Sequence, residues 1–359
     1  MEVPFNQIRA HYLDQKQEIN QAIASVLESG MYIGGQFVQD FEQSFSSYHG
    51  VNYAVGCASG TDALYLALLA LGVGPGDEVI TTAFSWISTA TAISRTGAVP
   101  VFVDVTTKDL QLDLSLAEHA ITSRTKALLP VYLYGHTKRR DDLIAFAKRY
   151  ELALIEDAAQ VHGIPLTLDS DGLRQLVCFS FYPTKQLGAI GDAGAVLTND
   201  EVLQVDLRKL ANMGGAVKST EFDRIGITSR LDPVQAAVLT SRLKHIESQQ
   251  QRRLVLARIY DRQLSEHLQK PELHDMHTLY QYVIQVRNRA EITRCLEEHA
   301  IGYGIHYGYT LPGTAAYGKR SGFPVAEQAA QKVISLPIDP MLSEDQIAYV
   351  CQVLNRITD

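Results

Sequence analysis

Short runs of apolar and β-branched residues recur along the first half of the chain, at 53–57, 78–80, 99–105, 127–133, 153–155, 177–179 and 195–198. Each is bounded by Gly, Pro or polar residues, so each predicts a buried β-strand. Between them, apolar positions at helical spacing predict helices at 62–71, 85–95, 114–121 and 140–150. Strand and helix in alternation imply an α/β fold with a mainly parallel sheet covered on both faces. Such sheets hold ligands beyond the carboxyl ends of their strands, so the residues following each strand are where chemistry is sought.

Beyond position 198 the pattern changes. Residues 232–268 read as one long helix, with Asp232 as N-cap and Pro233 in the first turn. Its middle, LKHIESQQQRR, loses the apolar stripe. That predicts a helix bridging two domains with a boundary near Gln250: a large ligand-binding domain, 1–250, and a small α+β domain, 251–359, against which the N-terminal segment can pack. The small domain is expected to hold strands at 282–286 and 303–306, a helix at 289–299, and a closing helix opened by a Ser343, Gln346 capping box.

A chain of 359 residues accommodates about two such domains. A net charge of −8 gives no general attraction to nucleic acid or an anionic membrane, so an anionic ligand needs local donors. Cys57, Cys178, Cys295 and Cys351 lie far apart, without the paired spacing of a zinc clasp or the density of a secreted disulfide scaffold. A cytoplasmic location is expected. The polar N-terminus lacks a leader pattern, and the longest apolar run, 63–71, is too short to span a bilayer.

Three segments carry candidate chemistry. In AVGCASGTDALYLALLALG, small residues join a strand to an apolar helix, and the backbone N–H groups around Gly60 and Thr61 can cradle a phosphate. The segment lacks both the P-loop lysine and the dinucleotide-binding spacing. In ELALIEDAAQVHG, Glu156, Asp157 and Gln160 follow a strand, so a carboxylate arrives at the ligand edge either as a turn cap or as partner to a cationic ring nitrogen. In FSFYPTKQLGAIGDAGAVLTND, Ser180 and Lys185 sit among apolar and small residues, where partial desolvation makes the lysine amine a competent nucleophile toward an aldehyde. Phosphate cradle, carboxylate and amine are the three groups that hold pyridoxal phosphate.

With those residues in view, the chain resembles the DegT/DnrJ/EryC1/StrS aminotransferases, sugar-nucleotide enzymes of the fold type I class. The likeness runs in order through SGTDALYLALLALGVGPGDEVIT, PVFVDV, RTKALLPVYLYG, IEDAAQVHG, FSFYPTKQLGAIGDAGAVLTND, SRLDPVQAA, GIHYG and GFPVAEQAA. It implies that Lys185 binds pyridoxal 5'-phosphate as a Schiff base and moves the substrate proton. It further implies that Asp157 pairs with the ring nitrogen, Gln160 lies near the ring, Trp86 stacks on it, and Gly60, Thr61 and Ser180 hold the phosphate.

The resemblance also implies a homodimer with shared active sites, in which the segment carrying Thr228 reaches the partner's phosphate. Thr228 stands where the family usually has Asn, and Ile227 where an aromatic is common. His306, Tyr307 and Tyr309 are candidate substrate contacts in a segment where Gly308, Thr310 and Pro312 depart from the family's Pro, Pro and His, as Tyr280 departs from a common His. The implied reaction moves an amino group from L-glutamate, through pyridoxamine phosphate, to a dTDP-, UDP- or GDP-linked keto-sugar. The alternatives are a dehydratase, whose relatives carry His in place of the lysine, and a non-catalytic regulator. His162 is expected to be structural. His274 and His277, three apart with no third ligand nearby in sequence, are read as surface residues, and no metal is expected.

Overall fold

The computed structural model describes residues 1–168, 172–215 and 220–358. Seven strands form the main sheet: β1 (Tyr53–Cys57), β2 (Glu78–Thr82), β3 (Val99–Val103), β4 (Thr125–Leu129), β5 (Ala153–Asp157), β6 (Gln175–Ser180) and β7 (Gly194–Thr198). Their spatial order is β1-β7-β6-β5-β4-β2-β3. Only β7 runs against its neighbours; the remaining pairs are parallel. The strands β1, β2, β4, β5 and β6 therefore deliver their carboxyl ends to one edge, where β7 begins. The expected 127–133 strand ends early, at Pro130, which has no N–H for the ladder. Pairing resumes at once, with Asp157 N donating to Pro130 O (2.9 Å) and Tyr132 N to Asp157 O (3.1 Å). Those bonds clamp the end of β5.

Three helices precede the sheet, α1 (Ile8–Asp14), α2 (Lys16–Ser29) and α3 (Gln36–His49). Between strands come α4 (Gly60–Ala70), α5 (Ser88–Arg95), α6 (Leu114–His119) and α7 (Arg140–Arg149), and after β7 comes α8 (Glu201–Ala211). The helix α4 is apolar on nearly every face because it is buried on nearly every face, with Ala63, Leu64, Leu66, Ala67 and Leu68 all packed inside.

The single helix expected over 232–268 is two: α9 (Pro233–Leu243) and α10 (Ile246–Gln263), broken at Lys244 and His245. The break is pinned from outside, since Glu18 of α2 accepts hydrogen bonds from both Ser241 and His245. The polar stretch that suggested a bridge between domains is partly buried, with Gln250 and Arg253 both inside.

The C-terminal part holds β8 (Tyr282–Gln285), α11 (Arg289–Glu298), α12 (Pro324–Lys332), β9 (Val333–Leu336) and α13 (Glu344–Thr358). Ser343 and Gln346 form the expected reciprocal cap. No strand forms at 303–306; Gly304 makes only an isolated bridge to Ser335, and the strand that pairs with β8 is β9. A side chain at Gly304 would meet the His306 ring at 2.4 Å, so the segment is built for close packing rather than for a ladder. A separate apolar cluster, including Val3, Leu256, Tyr260, Tyr282, Leu296 and Leu354, forms the core of this part. Another cluster, with Phe84, Leu133 and Tyr134 from one side and Tyr307, Ala329 and Val333 from the other, joins it to the strand ends.

Candidate active site

At the carboxyl end of β5, alternation sends Glu156 and Asp157 to opposite faces. Glu156 meets Arg140 of α7 through two bonds, 2.6 and 3.0 Å, together with Gln175 Nε2 and the Tyr132 hydroxyl. It is a structural carboxylate. Asp157 faces the strand ends, where Thr89 Oγ1 of α5 donates to Oδ2 at 2.9 Å and Ala159 N to Oδ1 at 3.2 Å. Burial raises the Asp157 carboxyl above its ordinary value, against the opposing pull of those bonds and of the Lys185 ammonium.

The β1–α4 turn lies beside the end of β6. Ser59 caps α4, its Oγ accepting from Asp62 N at 3.1 Å, which leaves the N–H groups of Gly60 and Thr61 in the first turn. A side chain at Gly60 would meet Ser180 Cβ at 2.4 Å and Oγ at 2.9 Å. One at Gly194 would meet Ser59 O at 2.4 Å. Small residues here let the turn, β6 and β7 close into a concave cradle lined by N–H and hydroxyl donors.

Lys185 follows β6 in a tight turn, its N–H donating to Tyr182 O at 2.8 Å. Its Nζ lies 4.4 Å from the centre of the Tyr280 ring. Burial alone would raise the Tyr280 phenol, but the nearby ammonium and a Thr184 contact bring it below its ordinary value. The same ammonium acts on His306, which burial and this charge lower to about 4. Lys185 therefore sits amid Asp157, Tyr280 and His306. Beside it opens a small cleft lined by His11, Gln15, Arg242, Gln249, Arg253 and Asp339 among others.

Opposite, Trp86 is 52% exposed, and its ring centre lies 5.8 Å from that of Tyr307. Tyr307 is buried and accepts from Gln160 Nε2 at 3.4 Å, while Gln160 Oε1 accepts from Tyr134 N at 2.5 Å. His306 is held by Ser335 Oγ at 2.8 Å and faces the Phe5 ring, and Tyr309 lies 5.9 Å from Tyr307. His162 is enclosed with the Phe179 and Phe181 rings, and burial lowers it to about 3.

A carboxylate, an amine, a donor-lined cradle and an exposed indole thus meet at one sheet edge. The family model for the DegT/DnrJ/EryC1/StrS aminotransferases matches residues 13–355. The chain belongs to that family. It is 42% identical over 363 residues to the erythromycin biosynthesis sensory transduction protein EryC1 of Saccharopolyspora erythraea, covering 99% of each. It is 41% identical over 365 residues to a dTDP-3-amino-3,4,6-trideoxy-alpha-D-glucose transaminase of Streptomyces venezuelae, covering 99% of this chain and 96% of that one. Its structure matches S. venezuelae DesV in complex with a ketimine intermediate with TM-score 0.95 at 38% identity, over 100% of this chain and 99% of the other. It matches Bacillus subtilis NtdA with bound cofactor PMP with TM-score 0.92 at 31% identity, over 99% and 85% respectively.

Within this DegT/DnrJ/EryC1/StrS member, Thr228 stands apart from the gathered groups. It is exposed and bridges to Asn212, while its neighbour Ser229 is buried and ties the β1–α4 turn together, accepting from Ala58 N and donating to Asp62. Thr89 and Tyr134, which hold Asp157 and Gln160, carry no sequence signal of their own. Tyr280 was visible only as a departure from the family pattern.

The reading of His274 and His277 as surface residues is overturned. His277 is 1% exposed and His274 only partly exposed, and a third imidazole, His136, joins them from the loop after β4. Spacing in the sequence could not reveal this. The partner arrives through backbone pairing of 134–137 with 276–280, where His136 bridges His277. Among the described residues, no helix is long and apolar enough to cross a membrane.

Proposed function

We propose that this aminotransferase uses pyridoxal 5'-phosphate to move an amino group from an amino acid, L-glutamate by family resemblance, to a nucleotide-linked keto-sugar. The observation that carries the reading is the meeting of Lys185 with a buried, incompletely paired Asp157 beside a cradle that only glycine permits at position 60. Relatives named as dTDP- and UDP-linked sugar aminotransferases support the substrate class. A structural neighbour with bound PMP supports the cofactor.

When bound, the cofactor supplies an electron sink for the carbanion formed at the amino-bearing carbon. Lys185 would hold it through its amine and, once released, carry the proton at Nζ. Asp157, anchored by Thr89 and by the backbone clamp on β5, would keep the ring nitrogen protonated. That cation in turn compensates a carboxylate which the protein alone leaves strained toward protonation. Gly60 and Thr61 N–H groups and Ser180 Oγ would bind the phosphate at the start of α4. Trp86 and Gln160 would flank the ring. Thr228 would act from a partner subunit in a homodimer, at a cytoplasmic location, with His306, Tyr307 and Tyr309 toward the sugar.

Replacing Lys185 by Ala tests the reading: formation of 2-oxoglutarate from glutamate and a keto-sugar nucleotide should fall by about 10⁴-fold, the upper range for a proton-transferring group. Retained turnover would refute it. A protein that binds the cofactor yet shows no amino exchange between glutamate and 2-oxoglutarate would be a regulator instead.

A further inference from the structure

Three imidazoles outside the cofactor cradle converge at the seam between segments 134–137 and 276–280. We propose that His136, His274 and His277 bind one divalent transition-metal ion, of the zinc type, which fastens that seam.

One ligand nitrogen from each ring lies within 4.8 Å of the others. Around a tetrahedral zinc, with metal–nitrogen bonds near 2.0–2.1 Å, ligand nitrogens stand roughly 3.3 Å apart. His274 Nε2 and His136 Nδ1 share a hydrogen bond of 2.9 Å and the His277 ring stacks on that of His136 with centres 4.0 Å apart, so an ion would replace that bond and turn the stacked rings edge-on toward itself. The second observation is His277 Nε2, which is buried and has no hydrogen-bond partner among the described residues. Its other nitrogen faces Glu272 O at 3.4 Å, which places the proton on Nδ1 and the lone pair on Nε2. A buried acceptor with nothing to accept from is the arrangement a metal completes.

The surroundings select the ion. Three neutral nitrogens suit zinc, nickel or copper, whereas magnesium and calcium require oxygen. Glu272, Asp275 and Asp109 act on His274 against Lys138. Three protein ligands leave a fourth position, and a small cleft bordered by His136 and His277 lies beside them.

The seam matters beyond itself. Thr278 N donates to Gly135 O and Tyr280 N to Tyr134 O, while Tyr134 N and the Thr278 hydroxyl both hold Gln160. An ion fixing 136 to 274 and 277 therefore fixes the loops that carry Gln160 and Tyr280. Its role is positional, and the proposal stands whatever reaction the enzyme catalyses.

The test uses untagged holoenzyme, stripped with a chelator and titrated with Co²⁺, then with Zn²⁺. One Co²⁺ per chain should give the visible d–d absorption of a nitrogen-rich, low-coordinate site, displaced by equimolar Zn²⁺ and untouched by millimolar Mg²⁺. His274→Ala, at a partly exposed turn, should weaken Zn²⁺ binding at least about 100-fold while circular dichroism is unchanged, and His277→Gln should do the same. Absence of the band, displacement by Mg²⁺, or wild-type affinity in a folded His274→Ala protein would overturn the proposal. Should His277→Gln fail to fold, the His274→Ala result and the wild-type spectrum decide.

Discussion

Glu156 and Asp157 are adjacent, chemically alike and both buried, yet their surroundings differ completely. Glu156 is saturated: Arg140 grips both oxygens, and Gln175 and Tyr132 complete the shell. Asp157 is left with one hydroxyl and one backbone N–H, within the influence of a half-buried lysine. Burial without full pairing is unfavourable for an anion, so the protein tolerates at Asp157 what it avoids one residue earlier. The difference separates a carboxylate that holds the fold from one reserved for a ligand.

The contrast can be broken from either side. Glu156→Gln leaves Arg140 buried without its counter-charge and should destabilise the protein by about 3–5 kcal/mol, read as a large fall in the calorimetric unfolding temperature. Replacing the pair together by apolar residues, Arg140→Met with Glu156→Leu, should recover part of that loss, the remainder being the buried Gln175 and Tyr132 donors left without an acceptor. If the single change is harmless, the saturated side has been misread.

Asp157→Asn should act in the opposite sense, lowering turnover by about 10²–10³-fold, the range for one removed electrostatic stabiliser. The cofactor-free variant should be as stable as the parent or more so. The sign follows from the raised carboxyl. Between the ordinary aspartate value and the raised one, the folded parent binds more protons than the unfolded chain, so Asp157 opposes folding increasingly as pH rises. The stability advantage of the variant should thus be greatest at neutral pH and shrink in acid. A constant advantage would contradict the assignment.

The smallest effect belongs to Trp86, whose exposed ring lies beside Tyr307. Loss of one aromatic contact of about 0.5–1.5 kcal/mol should make Trp86→Ala release cofactor roughly 2–10-fold faster in a dialysis assay, with thermal stability unchanged. A fall in stability instead would make it a packing residue.

Much of this edge was legible in the chain because strands buried on both faces leave continuous apolar runs, and the residue after each run lands at the ligand side. Gly60, Thr61, Asp157 and Ser180 are found that way. What escaped depends on pairings distant in sequence. The break between α9 and α10 is set by Glu18, more than two hundred residues away. Thr89 matters only because the first turn of α5 meets the end of β5. The four-residue strand β9 escapes reading altogether, since so short an apolar run has no diagnostic period. His136 meets His277 only after segments 134–137 and 276–280 pair.

One of those distant pairings bears on how the molecule is made. Val3, fully enclosed, donates to Ala300 O at 2.9 Å and accepts from Gly302 N at 2.7 Å, and Phe5 lies against His306. Segment 3–5 therefore finds its seat only once residues 300–306 have emerged from the ribosome. Closure over so long a loop is slow relative to local helix formation. The wall behind His306 accordingly forms only after that pairing, and nascent chains short of residue 306 lack it.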